Sequence, residues 1–285
     1  MRPGRFSYSR PETLEKALQA VKNGAVPLAG GQSLLQALRL RTAEPAAIVD
    51  LHSVSDLHAE IWTKSKKITI GALTTHRQLI ESEIISDEFP WLTTAARALG
   101  DVQVRNRGTV VGNVCWADPR ANLVVALLAS DAVVTATSDR SAGDHDRIPI
   151  ADFFTGFRQN VLGPRVAISI ELTRTPNAVG SYIEFSRQRQ DLALVNVCVV
   201  SHDTGTAVAL GGIDQRPFRL SQLEPVLRNQ GLSNKLLTNR IKETIAQAEL
   251  QPIDDQFGTP VYKRHLAATL IERAIEKCID GGDRV

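Results

Sequence analysis

The sequence predicts an α+β fold in which a region with two glycine turns precedes a C-terminal unit built on an antiparallel sheet. Up to about residue 175, short strand patterns and helix patterns alternate. Beyond that point several strand patterns follow one another directly, and two long helix patterns close the chain. A run of strands followed by helices is typical of an antiparallel sheet covered by helices on one face. We therefore divide the chain into residues 1–175, with subdomains of about 1–54 and 55–175, and a C-terminal domain of residues 176–285.

Composition and charge indicate a globular protein. Of the 285 residues, 43% are hydrophobic and 22% are charged, and the net charge of +2 comes without a dense block of Lys and Arg. We therefore expect no nucleic-acid partner. The apolar runs are much shorter than the about 20 residues of a membrane-spanning helix, and no signal-peptide core follows Met1, so we expect no membrane span and a cytoplasmic location. Cys115, Cys198 and Cys278 lie too far apart for a Cys-x-x-Cys metal site or a disulfide framework.

The first subdomain is predicted to be a small β-α-β-like unit. A helix pattern over residues 11–21 stops at an Asn-Gly pair, and a short apolar run leads into the first glycine turn. A second helix pattern begins at Leu34, and residues 47–51 are predicted to form a strand. We interpret Asp50, at the end of that strand, as a turn or capping carboxylate and not as a catalytic group.

The first glycine turn, between the strand pattern and the second helix pattern, consists of Ala29, Gly30, Gly31, Gln32 and Ser33. Glycine adopts positive φ readily and lets a ligand approach the backbone without a Cβ in the way. The N–H groups that open the next helix have no partner within it, so such a turn can hold a phosphate or pyrophosphate. Two alternatives remain open from these residues alone: an ordinary turn after a helix C-cap, or a helix N-cap at Ser33.

The second subdomain is predicted to mix strands and helices around a second glycine turn. Thr75 is expected to cap a short helix, and we interpret His76 as a solvent-facing histidine in its first turn. The aromatic side chains of Phe153, Phe154 and Phe157 are assigned to the core and not to a cofactor pocket. The predicted elements are strands at 68–72, 132–137 and 166–172, helices at 76–80, 90–99 and 121–128, and a polar surface loop at 138–146.

The C-terminal domain is predicted to combine antiparallel strands with two helices. Residues 202–205, His-Asp-Thr-Gly, have the composition of a hairpin turn. The predicted strands lie at 181–186, 194–201 and 206–210, and the predicted helices lie at 235–250 and 261–279.

The sequence shows no pattern of catalytic side chains, but its two glycine turns favour a dinucleotide cofactor. There is no nucleophile elbow, no metal-ligand spacing and no Walker-type phosphate loop. The second turn, residues 105–113, lies about 80 residues after the first. To bind one pyrophosphate, the turns would have to face each other across a cleft between the subdomains. The spacing differs from Gly-x-Gly-x-x-Gly, so nicotinamide binding of the Rossmann type is not predicted.

Both turns resemble the signature motifs of the flavin-binding medium subunits of molybdenum hydroxylases, the carbon monoxide dehydrogenase-like and xanthine dehydrogenase-like complexes. The family's first motif, Ala-Gly-Gly-Gln/His-Ser-Leu, matches residues 29–34. Its second, Arg-Asn-x-Gly-Thr-Ile-Gly-Gly-Asn followed by Ala-Asp-Pro, resembles residues 105–113 and 117–119. The likeness extends nearly from end to end, through residues 209–212 and 262–266. It implies a PCMH-type FAD-binding domain in two subdomains, followed by a C-terminal flavoprotein domain.

The resemblance also implies where FAD binds in this chain. Asn122 lies nine residues after the second motif's asparagine, where the family usually has an aspartate that contacts the flavin nucleotide. Leu162 matches a leucine that packs by the isoalloxazine. The family pattern places the pyrophosphate between one wall formed by Ala29, Gly30, Gly31, Gln32 and Ser33 and a second wall formed by Thr109, Val110, Val111, Gly112 and Asn113.

The same resemblance implies a role in a three-component complex. A large subunit would carry the molybdenum cofactor and hydroxylate the substrate, and a small subunit would carry [2Fe-2S] clusters. The FAD of this chain would pass electrons from those clusters to an external acceptor. No catalytic residue and no metal ligand is assigned to this chain, and the expected assembly is a dimer of heterotrimers.

Four positions depart from the family pattern. Val111 replaces a glycine, and if that position needs positive φ, a β-branched residue costs about 1–2 kcal/mol or forces a different turn. Asn122 replaces a carboxylate, Glu184 replaces a basic residue, and Leu192 replaces an aromatic residue. Two alternative functions follow: a docking subunit with weak or lost FAD binding, and a stand-alone flavoprotein oxidase. The oxidase is disfavoured because the sequence offers no evident substrate base and no histidine for covalent flavin attachment in a glycine turn.

Overall fold

The structure is a computed structural model that describes residues 3–138, 145–230, 237–250 and 258–283. Within these ranges the chain forms a three-stranded parallel sheet, a five-stranded antiparallel sheet, a four-stranded antiparallel sheet and a two-stranded ribbon. Helices pack on the sheets, so the predicted α+β class is confirmed. None of the helices in the described ranges combines the length and the apolar character needed to cross a bilayer.

The N-terminal unit consists of β1 (Ser7–Ser9), α1 (Leu14–Lys22), β2 (Val26–Leu28), α2 (Leu34–Leu40) and β3 (Ala47–Asp50). Its strands are parallel in the order β1-β3-β2, and the helices provide the crossovers that parallel strands need. The Thr13 side chain caps α1 by accepting a hydrogen bond from the Lys16 N–H. Asp50 accepts hydrogen bonds from the His52 N–H at 2.9 Å and the Tyr8 hydroxyl at 2.5 Å. The β-α-β-like pattern and the turn role of Asp50 are both confirmed.

The second unit contains the five-stranded sheet, whose strands are all antiparallel in the order β4-β5-β10-β6-β7. Every residue of its helix α8 is buried, because α8 lies between this unit and the C-terminal sheet. The elements are β4 (Ile61–Lys64), β5 (Lys67–Gly71), α3 (His76–Glu81), α4 (Glu83–Glu88), α5 (Pro90–Ala98), α6 (Val102–Arg107), α7 (Val110–Trp116), α8 (Asn122–Ala129), β6 (Val133–Thr137), β7 (Asp146–Pro149), a 3-10 helix (Ile150–Asp152), the ribbon strands β8 (Phe154–Gly156) and β9 (Gln159–Asn160), and β10 (Val166–Thr173).

The C-terminal unit is an antiparallel sheet with strand order β11-β12-β13-β14. Its own helices lie on one face, as predicted, and the other face packs against α5 and α8. Side chains alternate across a strand, so Val197 and Val199 face the C-terminal helices while Cys198 and Val200 face the second unit. The elements are β11 (Val179–Phe185), β12 (Val195–His202), β13 (Gly205–Gly211), β14 (Phe218–Arg219), α9 (Glu224–Gln230), α10 (Leu237–Gln247) and α11 (Pro260–Ile279).

The structure corrects two predicted side-chain positions. His76 is buried, with 2% of its surface exposed, and the solvent-facing interpretation is wrong. Phe153 and Phe154 belong to the core as predicted, whereas Phe157 is exposed. The predicted polar loop lies mainly on residues 139–144, outside the described ranges, and so does the beginning of the helix predicted at 235–250.

Candidate functional site

The first glycine turn connects β2 to α2. Gly31 has a φ of +75°, and its carbonyl accepts the Leu35 N–H at 3.0 Å, which closes the first turn of the helix. Ser33 occupies the N-cap position, but its side chain makes no capping hydrogen bond. The N–H groups of residues 30–33 donate no hydrogen bond to any residue in the described ranges. Because a strand and not a helix precedes the turn, the alternative of an ordinary turn after a helix C-cap is wrong. The N–H groups of residues 30–33 are available to a ligand, since they have no acceptor in the described ranges.

The second glycine turn is a helix end followed by a capped helix. Gly108 ends α6, and Thr109 is the N-cap residue of α7. The Thr109 hydroxyl oxygen accepts a hydrogen bond from the Gly112 N–H at 3.2 Å. Residues 110–113 are therefore helical and do not form an open loop.

The two turns are in contact through Gly30. A Cβ built on Gly30 would lie 2.7 Å from the Gly108 Cα and 2.8 Å from the Arg107 carbonyl carbon. Both are backbone atoms, so only glycine fits at this position. A Cβ on Gly112 would lie 3.8 Å from the Ala29 Cβ, which places α7 beside the same turn. The fold thus brings together two segments that lie about 80 residues apart in the sequence.

The strain considered for Val111 does not arise. Val111 lies in α7, is not among the residues with positive φ, and is only 3% exposed. Its side chain packs in the main core with those of Val110 and Val114. The side chain of Val111 therefore contributes to the core behind the turn and does not occupy the space between the turns.

His76 lies directly behind the second turn. The backbone N–H of His76 donates to the Gly108 carbonyl at 2.9 Å. A Cβ built on Gly108 would lie 3.0 Å from the Cδ2 atom of the His76 ring. Burial, with a smaller contribution from Arg105, lowers the pKa of His76 to about 4, so the ring is neutral at pH 7. Sequence reasoning missed this contact because nothing near His76 in the sequence shows that the second turn covers it.

Unsatisfied polar groups at the turns fit a polar cofactor. Besides the free N–H groups of residues 30–33, the Asn113 Oδ1 and the His76 Nδ1 are buried without a hydrogen-bond partner in the described ranges. Such groups are rare in folded proteins because each costs about 1–3 kcal/mol. Phosphate or hydroxyl oxygens of a bound molecule would accept hydrogen bonds from the N–H groups of residues 30–33, whereas the Asn113 Oδ1 and the His76 Nδ1 are buried away from such a molecule. No group of three His, Cys, Asp or Glu residues in the described ranges could hold a metal ion.

A buried carboxylate after the second motif anchors a neighbouring loop to the end of α7. Asp118 accepts hydrogen bonds from the Arg158 Nη2 at 2.8 Å and from the Arg120 N–H at 3.1 Å. The Arg158 guanidinium also lies over the rings of Trp116 and Phe157, 5.2 and 5.1 Å from their centroids. This stacking gives Phe157 a place outside the core.

Leu162 lies near the same end of α7. The Asn160 side chain donates to the Cys115 carbonyl at 2.8 Å and accepts the Leu162 N–H at 3.0 Å. Leu162 is 9% exposed and belongs to the main core. The structure therefore places Leu162 at the C-terminal end of α7, whereas Thr109 and Gly112 lie at its N-terminal end.

Asn122, the first residue of α8, contacts Glu184 on β11. The Asn122 Nδ2 donates to the Glu184 Oε2 at 2.6 Å, across 62 residues of sequence. Two of the four positions that depart from the family pattern are therefore hydrogen-bonded to each other. Motif comparison treats them one at a time and could not show this.

Two family models match the chain. Residues 4–171 match the FAD binding domain in molybdopterin dehydrogenase, and residues 180–278 match the CO dehydrogenase flavoprotein C-terminal domain. The medium chain of glyceraldehyde dehydrogenase from Sulfolobus acidocaldarius is 30% identical, over 97% of this chain and 99% of that protein. Subunit alpha of the 6-hydroxypseudooxynicotine dehydrogenase complex from Paenarthrobacter nicotinovorans is 31% identical, over 98% and 96%.

Solved structures show the same relationship. A chain of carbon monoxide dehydrogenase from Hydrogenophaga pseudoflava superposes with a TM-score of 0.89 and 25% sequence identity, over 99% of this chain and all of that one. Sequence and structure thus agree along nearly the whole length, and the chain belongs to the family of FAD-binding medium subunits of molybdenum hydroxylases, as an oxidoreductase component.

Proposed function

We propose that this chain is the FAD-binding electron-transfer subunit of a molybdenum hydroxylase complex. The observation that carries the proposal is the contact of the two glycine turns through Gly30. That contact places the free N–H groups of residues 30–33 beside the start of α7, where one pyrophosphate could reach both segments. Membership of an FAD-binding family supports the same cofactor.

The residues of this chain would bind and orient the cofactor. Ala29, Gly30, Gly31, Gln32 and Ser33 would form one wall of the pyrophosphate site, and Thr109, Val110, Val111, Gly112 and Asn113 would form the other. Asn122 and Leu162 would contact the flavin portion. In that arrangement Val111 acts through its backbone, because its side chain is in the core. FAD supplies the redox chemistry when bound, and the chain itself contributes no catalytic side chain.

We further propose partners for the chain. Relatives named as a medium chain and as a complex subunit support an assembly with a large molybdopterin subunit and a small subunit that carries [2Fe-2S] clusters. Electrons would enter from those clusters and leave to an external acceptor, while substrate hydroxylation takes place on the large subunit. A dimer of heterotrimers in the cytoplasm, and a domain division near residue 175, remain parts of this proposal.

Co-purification tests the assembly. The tagged chain, isolated from its native source, is expected to bring down two further chains, with molybdenum, iron and FAD in the same gel-filtration peak. A chain that purifies alone with bound FAD and reduces oxygen without partners would favour the stand-alone oxidase and contradict the proposal.

A second candidate is a docking subunit with weak FAD binding. It is supported by the uncharged Asn122 and the acidic Glu184, which together alter the polar surroundings expected for the flavin. The docking subunit would still assemble with its partners, but the purified complex would contain molybdenum and iron without stoichiometric FAD. The ratio of FAD to this chain in the complex therefore separates the two candidates.

A further inference from the structure

A polar cluster joins the beginning of α8 to the C-terminal sheet. The Glu184 Oε2 accepts two hydrogen bonds, from the Asn122 Nδ2 at 2.6 Å and from the Tyr182 hydroxyl at 2.8 Å. The Asn196 side chain donates to the Tyr182 oxygen and to the Arg120 carbonyl, both at 3.2 Å. Asn122, Tyr182 and Asn196 are buried, and Glu184 is partly buried. Glu184 is thus the acceptor at the centre of the contact.

The hydrogen bond fixes the orientation of the Asn122 amide. Glu184 can only accept when ionised, so the atom of Asn122 that faces it must be the nitrogen. The carbonyl oxygen of Asn122 then points away from Glu184. An aspartate at position 122 would instead place two carboxylates within hydrogen-bond distance, an arrangement that favours ionisation of only one of them.

The charge of Glu184 is supported by hydrogen bonds and not by a cation. Within the described ranges no Lys, Arg or His forms an ion pair with it, and the nearby Arg120 is paired with Asp118. Burial raises the pKa of the Glu184 carboxyl, and the hydrogen bond from Tyr182 opposes that increase. The hydrogen bonds from Asn122 and Tyr182 are therefore the main interactions that support the charge.

We propose that Glu184 is a positioning residue for the FAD site. Glu184 binds the nitrogen of the Asn122 amide, so that the amide offers its neutral carbonyl oxygen to the cofactor as a hydrogen-bond acceptor. The proposal rests on the FAD-binding function proposed above and adds to it a dependence between two positions. Position 122 must be uncharged while position 184 is glutamate. A carboxylate at position 122 becomes acceptable only when position 184 can donate a hydrogen bond.

The test measures FAD dissociation constants by flavin fluorescence on the full chain, with apoprotein melting temperatures measured in parallel. Glu184→Ala is expected to weaken FAD binding by about tenfold or more, because it releases Asn122. Glu184→Gln keeps an acceptor oxygen and is expected to stay within about threefold of the wild type. Asn122→Asp is expected to weaken binding, and Asn122→Asp combined with Glu184→Gln is expected to restore it. Glu12→Gln, on an exposed residue, is the control.

The pH profile provides a readout that a merely structural role would not change. FAD affinity of the Asn122→Asp variant is expected to increase as the pH falls and the pair of carboxylates takes up a proton, and adding Glu184→Gln is expected to remove that pH dependence. The proposal is overturned if Asn122→Asp weakens FAD binding as much in the Glu184→Gln variant as in the wild type. It is also overturned if the effects of the two substitutions on the melting temperature of the apoprotein differ from the sum of their single effects, while their effects on FAD affinity simply add. A wild-type chain that binds no FAD contradicts the proposed function itself, and the melting temperatures would still show whether the two residues interact.

Discussion

Replacing Gly30 with alanine is expected to force the two glycine turns apart. The added Cβ would lie 2.7 Å from the Gly108 Cα and 2.8 Å from the Arg107 carbonyl carbon. Favourable contacts between carbon atoms are about 3.5–4.0 Å long, so the turns would have to separate by roughly 1 Å. No side chain can move aside to relieve the contact, and the Gly108 carbonyl is held by the His76 N–H.

The expected cost can be estimated for stability and for binding separately. Overpacking of this kind costs about 1–3 kcal/mol, which corresponds to a decrease in Tm of about 2–12 °C at about 2–4 °C per kcal/mol. A 1 Å displacement also breaks the fit of the N–H groups to a pyrophosphate. Losing one hydrogen bond to a charged group would weaken FAD binding by roughly 10–150-fold.

The assay compares FAD dissociation constants and apoprotein Tm values of the wild type and the Gly30→Ala variant. Gly4→Ala is a matched control, because its Cβ would meet its nearest neighbour, the Glu44 carboxylate, at an ordinary 3.7 Å. A Gly30→Ala variant with unchanged Tm and unchanged FAD affinity would refute the close approach of the turns.

Three further predictions concern the surroundings of the turns. Val111→Gly is expected to lower the free energy of unfolding by about 2–4 kcal/mol without improving FAD affinity, because it removes a buried side chain from a helix; chemical denaturation and an FAD titration check both. Thr109→Ala should lower the free energy of unfolding by about 1 kcal/mol in the same denaturation assay, because it removes the cap of α7, and it should also weaken FAD binding. The control Thr259→Ala removes the cap of α11 and should leave FAD affinity unchanged. The neutral His76 should make stability fall as the pH decreases from 6.5 to about 4, by up to about 3 kcal/mol, because only the unfolded chain takes up that proton. Urea unfolding at several pH values should show that the His76→Leu variant loses less unfolding free energy than the wild type as the pH falls. An equal loss in the two proteins would contradict a neutral, buried His76.

Local sequence patterns predicted much of the fold correctly, since glycine and the period of apolar residues act over short distances. The strand–turn–helix around Gly30 and Gly31, the buried helix α8 and the hairpin between β12 and β13 follow from such patterns. The short elements β4, β8, β9 and β14 have two to four residues and no recognisable period, so the sequence does not predict them.

Contacts between distant residues explain what the sequence could not show. His76 is buried because Gly108 covers it, and a glycine offers no sequence signal that it will pack on a histidine 32 positions away. The second motif alone does not show that Thr109 caps a helix, so a sequence comparison suggests strain at Val111 where the structure has ordinary helical backbone. The bond between Asn122 and Glu184 depends on how α8 docks on the C-terminal sheet, which no local pattern specifies.

The visible absorption spectrum of the purified chain, recorded after incubation with FAD and gel filtration, tests most directly whether the two glycine turns form one FAD site. A retained flavin spectrum near one equivalent, bleached by dithionite, is the expected result. A colourless chain that fails to retain added FAD, both alone and in its native complex, would contradict it.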